Sequence, residues 1–77
     1  MASKNTISTE LFRKFLRNQG FEHIRTKGSH ESWHKKGMTR PIVVQAGKKE
    51  IPIGVIRSNL RTIGITMKRF MKIISDL

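Results

Sequence analysis

The sequence Lys27-Gly28-Ser29-His30 runs directly into Glu31-Ser32-Trp33-His34. A glycine between two alternating segments is typical of a tight turn between strands, because glycine reaches positive φ without a Cβ clash. The sequence therefore predicts a β-hairpin in which His30 is the first residue of the second strand. If Trp33 faces the core, Glu31 shares its side of that strand, and His30, Ser32 and His34 point the other way.

A helix is predicted before this hairpin. Ser8 can cap a helix that begins near Thr9, and Gly20 ends it in the position after the last helical turn. Apolar residues recur within it at helical spacing and predict one buried stripe, formed by Leu11, Phe12, Phe15 and Leu16. The residues before this helix, Met1 to Asn5, are polar and predict a frayed terminus.

Three short strands are predicted in the middle of the chain. They are Phe21 to Thr26, Ser29 to Lys35 and Arg40 to Gln45, and the second and third are separated by a glycine turn at 36–38. Strict alternation in the first strand places His23 and Arg25 on the same side. A polar loop follows at 46–50. Short strands joined by tight turns indicate an antiparallel meander.

Two helices are predicted at the C-terminal end. Pro52 suits the first turn of a helix that Gly64 ends, and Thr66 can cap the last helix. The predicted order is helix, three strands, helix, helix. This order is typical of an α+β fold in which the helices pack on one face of a three-stranded antiparallel sheet. A chain of 77 residues has room for a single small domain, so we expect one domain over residues 1–77.

The chain is strongly basic. Sixteen Lys and Arg residues against five acidic residues give a formal net charge of +11, and the basic residues are spread from Lys4 to Lys72. Such a surface favours a polyanionic partner, of which nucleic acid is the commonest in a cell and an anionic membrane the main competitor. No apolar run approaches the roughly 20 residues that span a bilayer, and no signal-peptide segment follows Met1. The sequence therefore predicts a cytoplasmic protein.

Metal and cofactor sites are not predicted. The chain has no cysteine, which excludes disulfides and thiolate metal sites. His30 and His34 have the i, i+4 spacing that would suit zinc on a helix, but their segment alternates like a strand and has few carboxylates nearby.

His30 is nevertheless a candidate for proton transfer. An imidazole can both accept and donate a proton near neutral pH, and the basic residues around His30 would attract a phosphate: Arg25, Lys27, Lys35 and Lys36. A proton-transfer group beside an anion site is the minimum needed to cleave RNA. Taken alone, the segment favours the plainer interpretation, a solvated turn whose histidine has no function.

From Ser8 to about Leu77, the chain resembles the HicA family of bacterial toxins. The resemblance rests on the motifs Gly20-Phe21, Lys27-Gly28-Ser29-His30 and Pro52-Ile53-Gly54, with Leu60 and Gly64-Ile65 in the expected places. It implies a fold like the double-stranded-RNA-binding domain and a toxin that cleaves mRNA as an endoribonuclease. It also implies a HicB-type antitoxin as the partner that neutralises it.

By this resemblance, His30 is the catalytic residue and would act as general base on a ribose 2′-OH. Many family members carry a proline or histidine after the third strand, where this chain has Gln45-Ala46-Gly47, so we expect a one-histidine mechanism without metal. His34 is about 13 Å farther along an extended strand and is predicted to be a binding or surface residue. His23 is expected to be half-buried, and Trp33 to be buried against the helices.

The RNA contacts are predicted from the remaining basic residues. Lys27 and Lys35 are the candidates nearest to His30 for stabilising charge at the phosphorus. Five basic residues on the C-terminal helices are predicted to contact phosphates: Arg57, Arg61, Lys68, Arg69 and Lys72. Two other functions stay open, a double-stranded-RNA-binding module without catalysis and a helix-turn-helix DNA-binding protein built around Gly64-Ile65-Thr66.

Overall fold

The structure is a computed structural model that describes residues 5–77. The elements follow in the order β1 (Thr6–Ser8), α1 (Thr9–Asn18), β2 (Glu22–Lys27), β3 (His30–His34), β4 (Ile42–Gln45), β5 (Glu50–Pro52), α2 (Ile53–Ile63) and α3 (Met67–Ser75). β2, β3 and β4 form an antiparallel sheet in that order, and β1 pairs separately with β5. The predicted α+β fold is thereby confirmed, with two short strands added.

The core lies between the three-stranded sheet and the helices. The sheet contributes Trp33, Ile42 and Val44 to it, and the helices contribute Phe12, Phe15, Leu16, Ile56, Leu60 and Phe70. The predicted stripe on α1 is confirmed, although Leu11 is only half-buried. The rings of Phe15 and Phe70 meet edge to face with centroids 4.7 Å apart, which joins α1 to α3. All three helices therefore cover the same face of the sheet.

The hairpin that connects β2 and β3 has the predicted turn. Lys27 pairs with His30 across a two-residue loop, and Gly28 in that loop has a φ of 61°. Glycine in the first loop position is the pattern of a type II′ turn, whose twist matches that of the flanking strands. His30 is accordingly the first residue of β3, as predicted.

The two faces of β3 are also as predicted. Trp33 and Glu31 are buried on the helix side, with 2% and 8% of their surface exposed. His30 and His34 are exposed on the opposite side. We call the side without helices the open face of the sheet, and it is formed by Arg25, Lys27, His30, Ser32, His34, Val43 and Gln45.

The prediction for β2 was wrong in one respect. His23 pairs with Trp33 and Arg25 pairs with Ser32, so Ile24 is an extra residue in the strand. This bulge moves Arg25 to the open face, opposite to His23. His23 itself is exposed rather than half-buried, because β2 is an edge strand, all of whose residues are exposed.

The β1–β5 ladder was not predicted. Ile7 pairs with Ile51 in a register of three residue pairs, too short to leave an alternation pattern. Of the predicted frayed terminus, Met1 to Lys4 lie outside the described residues, whereas the Asn5 carbonyl accepts a hydrogen bond from Ile53 N at 2.8 Å. The start of β5 lies within the predicted loop, and α2 begins at Ile53 with Pro52 as its N-cap.

Candidate active site

The structure brings His30 and Lys27 together on the open face of the sheet. Lys27, His30 and Gln45 pair across β2, β3 and β4, so their side chains form one row on that face. The neighbouring row consists of Arg25, Ser32 and Val43. His30 therefore has a cation on one side and a primary amide on the other.

The three histidines differ in what their rings contact. His23 Nε2 lies 2.7 Å from the Thr26 hydroxyl, and His34 Nε2 lies 3.2 Å from the Met38 carbonyl oxygen. Within residues 5–77, His30 makes no hydrogen bond through its ring. Of the three rings, that of His30 is thus the one with neither nitrogen in a hydrogen bond to another described residue.

His30 forms part of the wall of a groove of about 400 Å³, which we call the His30 groove. Its lining comes from β1, β3, β4, β5, the β4–β5 loop and the first turn of α2. The residues that line it are Thr6, His30, Val43, Val44, Gln45, Lys48, Glu50, Ile51, Pro52 and Val55. The groove therefore combines a proton-transfer group with a cation, a carboxylate and an apolar surface.

Lys48 is a basic residue of this groove that the sequence analysis did not identify. The loop that carries it is attached to the start of α1, because buried Thr9 donates from its hydroxyl to the Lys48 carbonyl at 2.7 Å and from its backbone N to the Lys49 carbonyl at 2.8 Å. Opposite this loop, the Thr6 hydroxyl donates to the Glu50 carboxylate. The sequence gives little indication that Lys48 lies near His30, because the contacts that hold its loop join residues about forty positions apart.

Lys35 does not lie near His30. It follows the other end of β3, about 17 Å from His30 along an extended chain, and its Nζ lies 5.9 Å from the centre of the Phe21 ring. A cation over an aromatic face is an ordinary stabilising contact. The structure therefore places Lys27 beside His30 in the sheet and Lys48 in the groove that His30 lines, whereas Lys35 lies beyond the other end of β3.

The basic residues on the C-terminal helices form a separate surface. Arg57 and Arg61 line a second depression together with Ile65 and Met67. At 100° per residue, they project from α2 on the flank opposite to Val55, which lines the His30 groove. Lys68, Arg69 and Lys72 are exposed on α3. In the part of the chain that the structure describes, none of these five basic residues lines the His30 groove.

Glu31, the residue after His30 in β3, carries a buried carboxylate on the helix side of the sheet. Glu31 accepts hydrogen bonds from Arg13 Nε at 3.0 Å, Arg13 Nη2 at 2.6 Å and Trp33 Nε1 at 3.0 Å. The Arg13 guanidinium, helped by the Trp33 N–H, lowers the pKa of Glu31 although burial opposes this. Arg13 also donates to exposed Glu10 at 2.9 Å. These bonds attach α1 to β3 at the residue next to His30.

Within residues 5–77, no three His, Asp or Glu side chains lie close enough to bind a metal ion together. No helix in the described part of the chain has the length and apolar character needed to cross a bilayer.

Comparison with protein families matches residues 11–65 to the family described as HicA toxin of bacterial toxin-antitoxin. Comparisons with curated proteins and with solved structures gave no significant match. The expected likeness to the double-stranded-RNA-binding domain therefore stays a prediction. The family match spans both the hairpin with His30 and the whole of α2, and covers well over half of the 77 residues. The chain belongs to the HicA family of toxins from bacterial toxin–antitoxin systems.

Proposed function

We propose that this toxin is an endoribonuclease that cleaves mRNA in the cytoplasm, with His30 as general base. The observation that carries the proposal is the exposed ring of His30, which lines a groove together with Lys48 and pairs across the sheet with Lys27. The family match supports a toxic activity. The net charge of +11 supports a polyanionic substrate.

The chemistry needs few groups. His30 accepts the proton of a ribose 2′-OH, whose oxygen then bonds to the adjacent phosphorus. The bond from phosphorus to the 5′ oxygen breaks, and that oxygen takes a proton from water or from the His30 imidazolium. The products are a 2′,3′-cyclic phosphate and a free 5′-OH. Lys27 and Lys48 would stabilise the negative charge that develops on the phosphoryl oxygens.

Two other functions predict the same basic surface. A non-catalytic RNA-binding module would retain RNA without cutting it, and a helix-turn-helix protein would prefer duplex DNA. Incubation with labelled RNA in EDTA separates the three, because cyclic-phosphate products under these conditions require a metal-independent nuclease. RNA that is bound but uncut would contradict the proposal in favour of the binding module.

Salt dependence tests the predicted phosphate contacts. Replacing both Arg57 and Arg61 with glutamine should reduce the slope of log affinity against log salt by about 1.4, because each phosphate contact on a single strand contributes roughly 0.7. Affinity would be measured on an RNA with 2′-deoxyribose at the cut position. The control is Lys14→Gln, an exposed residue on α1, which should leave the slope unchanged. Binding that does not weaken between about 50 and 200 mM salt would contradict nucleic-acid binding altogether.

The proposed antitoxin, a HicB-type protein, should cover the His30 groove. A surface this basic is best complemented by acidic residues, which also accelerate association. We therefore expect the partner to suppress cleavage and to protect His30 from modification by diethyl pyrocarbonate, while His23 remains reactive. A partner that abolishes cleavage and leaves His30 as reactive as in the free toxin would contradict this mode of inhibition.

A further inference from the structure

The His30 groove contains an apolar surface that the proposed proton transfer does not use. Val43 on β4 and Val55 on α2 are 43% and 46% exposed, and both line the groove. Val43 points outward because Ile42 and Val44 on either side of it point into the core. Ile51, which is only 5% exposed, also lines the groove.

The groove is preformed by contacts that have no role in the proton transfer. The β1–β5 ladder forms one wall, and the bonds from Thr9 to the Lys48 and Lys49 carbonyls fix the loop beside it. Its volume of about 400 Å³ falls within the range of roughly 300–1,000 Å³ that is usual for small-molecule pockets. A groove of this size can take one nucleotide rather than a duplex.

The polar groups around this surface match the edge of a nucleobase. Gln45 is exposed beside His30 in the same row of the sheet, and its amide offers both a donor and an acceptor. Amide side chains read base edges in this way, and bases that have left the stack pack between aromatic or apolar side chains. Lys48, in the same groove, would hold the attached phosphate.

We propose that the His30 groove binds the base of the nucleotide whose 2′-OH faces His30, with Val43 and Val55 against the flat of the base and the Gln45 amide at its edge. This inference rests on the proposed function and extends it. It makes the groove the part of the toxin that selects the cut position. It also requires single-stranded RNA, because a base inside a duplex is stacked and cannot enter.

The test uses a readout that does not depend on cleavage. The probes are RNA tetramers with 2′-deoxyribose at one position, carrying each of the four bases or no base there, and the signals are the NMR methyl resonances of Val43 and Val55. Base-containing tetramers should shift both valines through the ring current of the base, and the abasic tetramer should not. Binding of the base-containing tetramers that leaves the methyl resonances of both valines unshifted would overturn the inference.

Variants give a second, kinetic readout. In cleavable RNA, removing the base but keeping the ribose should lower kcat/KM by about tenfold, as expected where a base covers two half-exposed valines. Val55→Ser should cut the RNA with the base and the RNA without it at more similar kcat/KM values than wild type does. Gln45→Ala should alter the preference among the four bases. The matched control is Ile24→Thr, an exposed apolar residue of β2 outside the groove.

The outcomes separate this inference from the proposed function. Cleavage that needs His30 but ignores the missing base would overturn the base-binding role alone. Valine shifts produced by an antitoxin and by none of the tetramers would show that the apolar surface is a protein contact instead. RNA binding with base-dependent valine shifts but no cleavage would support the groove as a base site while contradicting the nuclease.

Discussion

Replacing His30 with alanine is expected to lower RNA cleavage by at least about a hundredfold, which is the lower range of what a general base contributes. RNA binding should persist, because the predicted phosphate contacts come from other residues. His30 is exposed and, within residues 5–77, makes no hydrogen bond through its ring, so the free energy of unfolding should change by no more than about 0.5 kcal/mol. The measurement is cleavage of a labelled RNA by folded variant and wild-type protein.

The other two histidines provide matched controls. His34→Ala removes the same side chain from the same open face, four residues along β3, and His23→Ala removes it from the edge strand. Both should cut at close to the wild-type rate. An RNA with 2′-deoxyribose at the cut position should resist the wild-type protein, since the attacking hydroxyl is gone. If the folded His30→Ala protein binds RNA and cuts it at the wild-type rate, His30 is not the general base and the proposed mechanism is wrong.

The position of His30 could be predicted because it depends on neighbouring residues only. The Lys27-Gly28-Ser29-His30 segment encodes its own turn, since a glycine with positive φ in a two-residue loop sets the hairpin register. The alternation in β3 then decides which side chains face the core, and the one tryptophan decides which face that is. These rules are local, so they could be read directly from the sequence.

The groove around His30 could not be predicted in the same way. It depends on the pairing of β1 with β5, and on Thr9, which bonds to carbonyls of residues 48 and 49. Three-residue strands carry no measurable periodicity, and a threonine at a helix start predicts only a local cap. The bulge at Ile24 likewise cannot be recognised from the residue types in β2. Lys48 was missed for these reasons. The separation of Lys35 from His30, in contrast, follows from the spacing of residues along an extended strand and was open to prediction from the sequence.

Glu31→Gln is expected to be the most destabilising of the conservative substitutions near the site, by about 2–3 kcal/mol. The Glu31 and Arg13 side chains are only 10% and 18% exposed, so the neutral amide leaves a largely desolvated guanidinium without its main partner. For a domain of this size, the loss should lower Tm by about 10 °C or more. The control is Glu10→Gln, which removes a 65% exposed carboxylate from the same arginine and should cost less than about 1 kcal/mol.

The same pair should make the stability of the fold depend on pH in the acid range. Folding lowers the pKa of Glu31, so the pair's contribution is complete above the unfolded pKa of about 4.3 and is lost as the pH falls through the lower folded value. The free energy of unfolding would be measured with denaturant between about pH 6 and pH 3. Over this range it should fall more steeply for wild type and Glu10→Gln than for Glu31→Gln. The three values should therefore become similar at the acid end. Parallel curves for the three proteins over this range would mean that Glu31 is not held as a carboxylate by Arg13. In that case the strand that positions His30 would not depend on the charge of this ion pair.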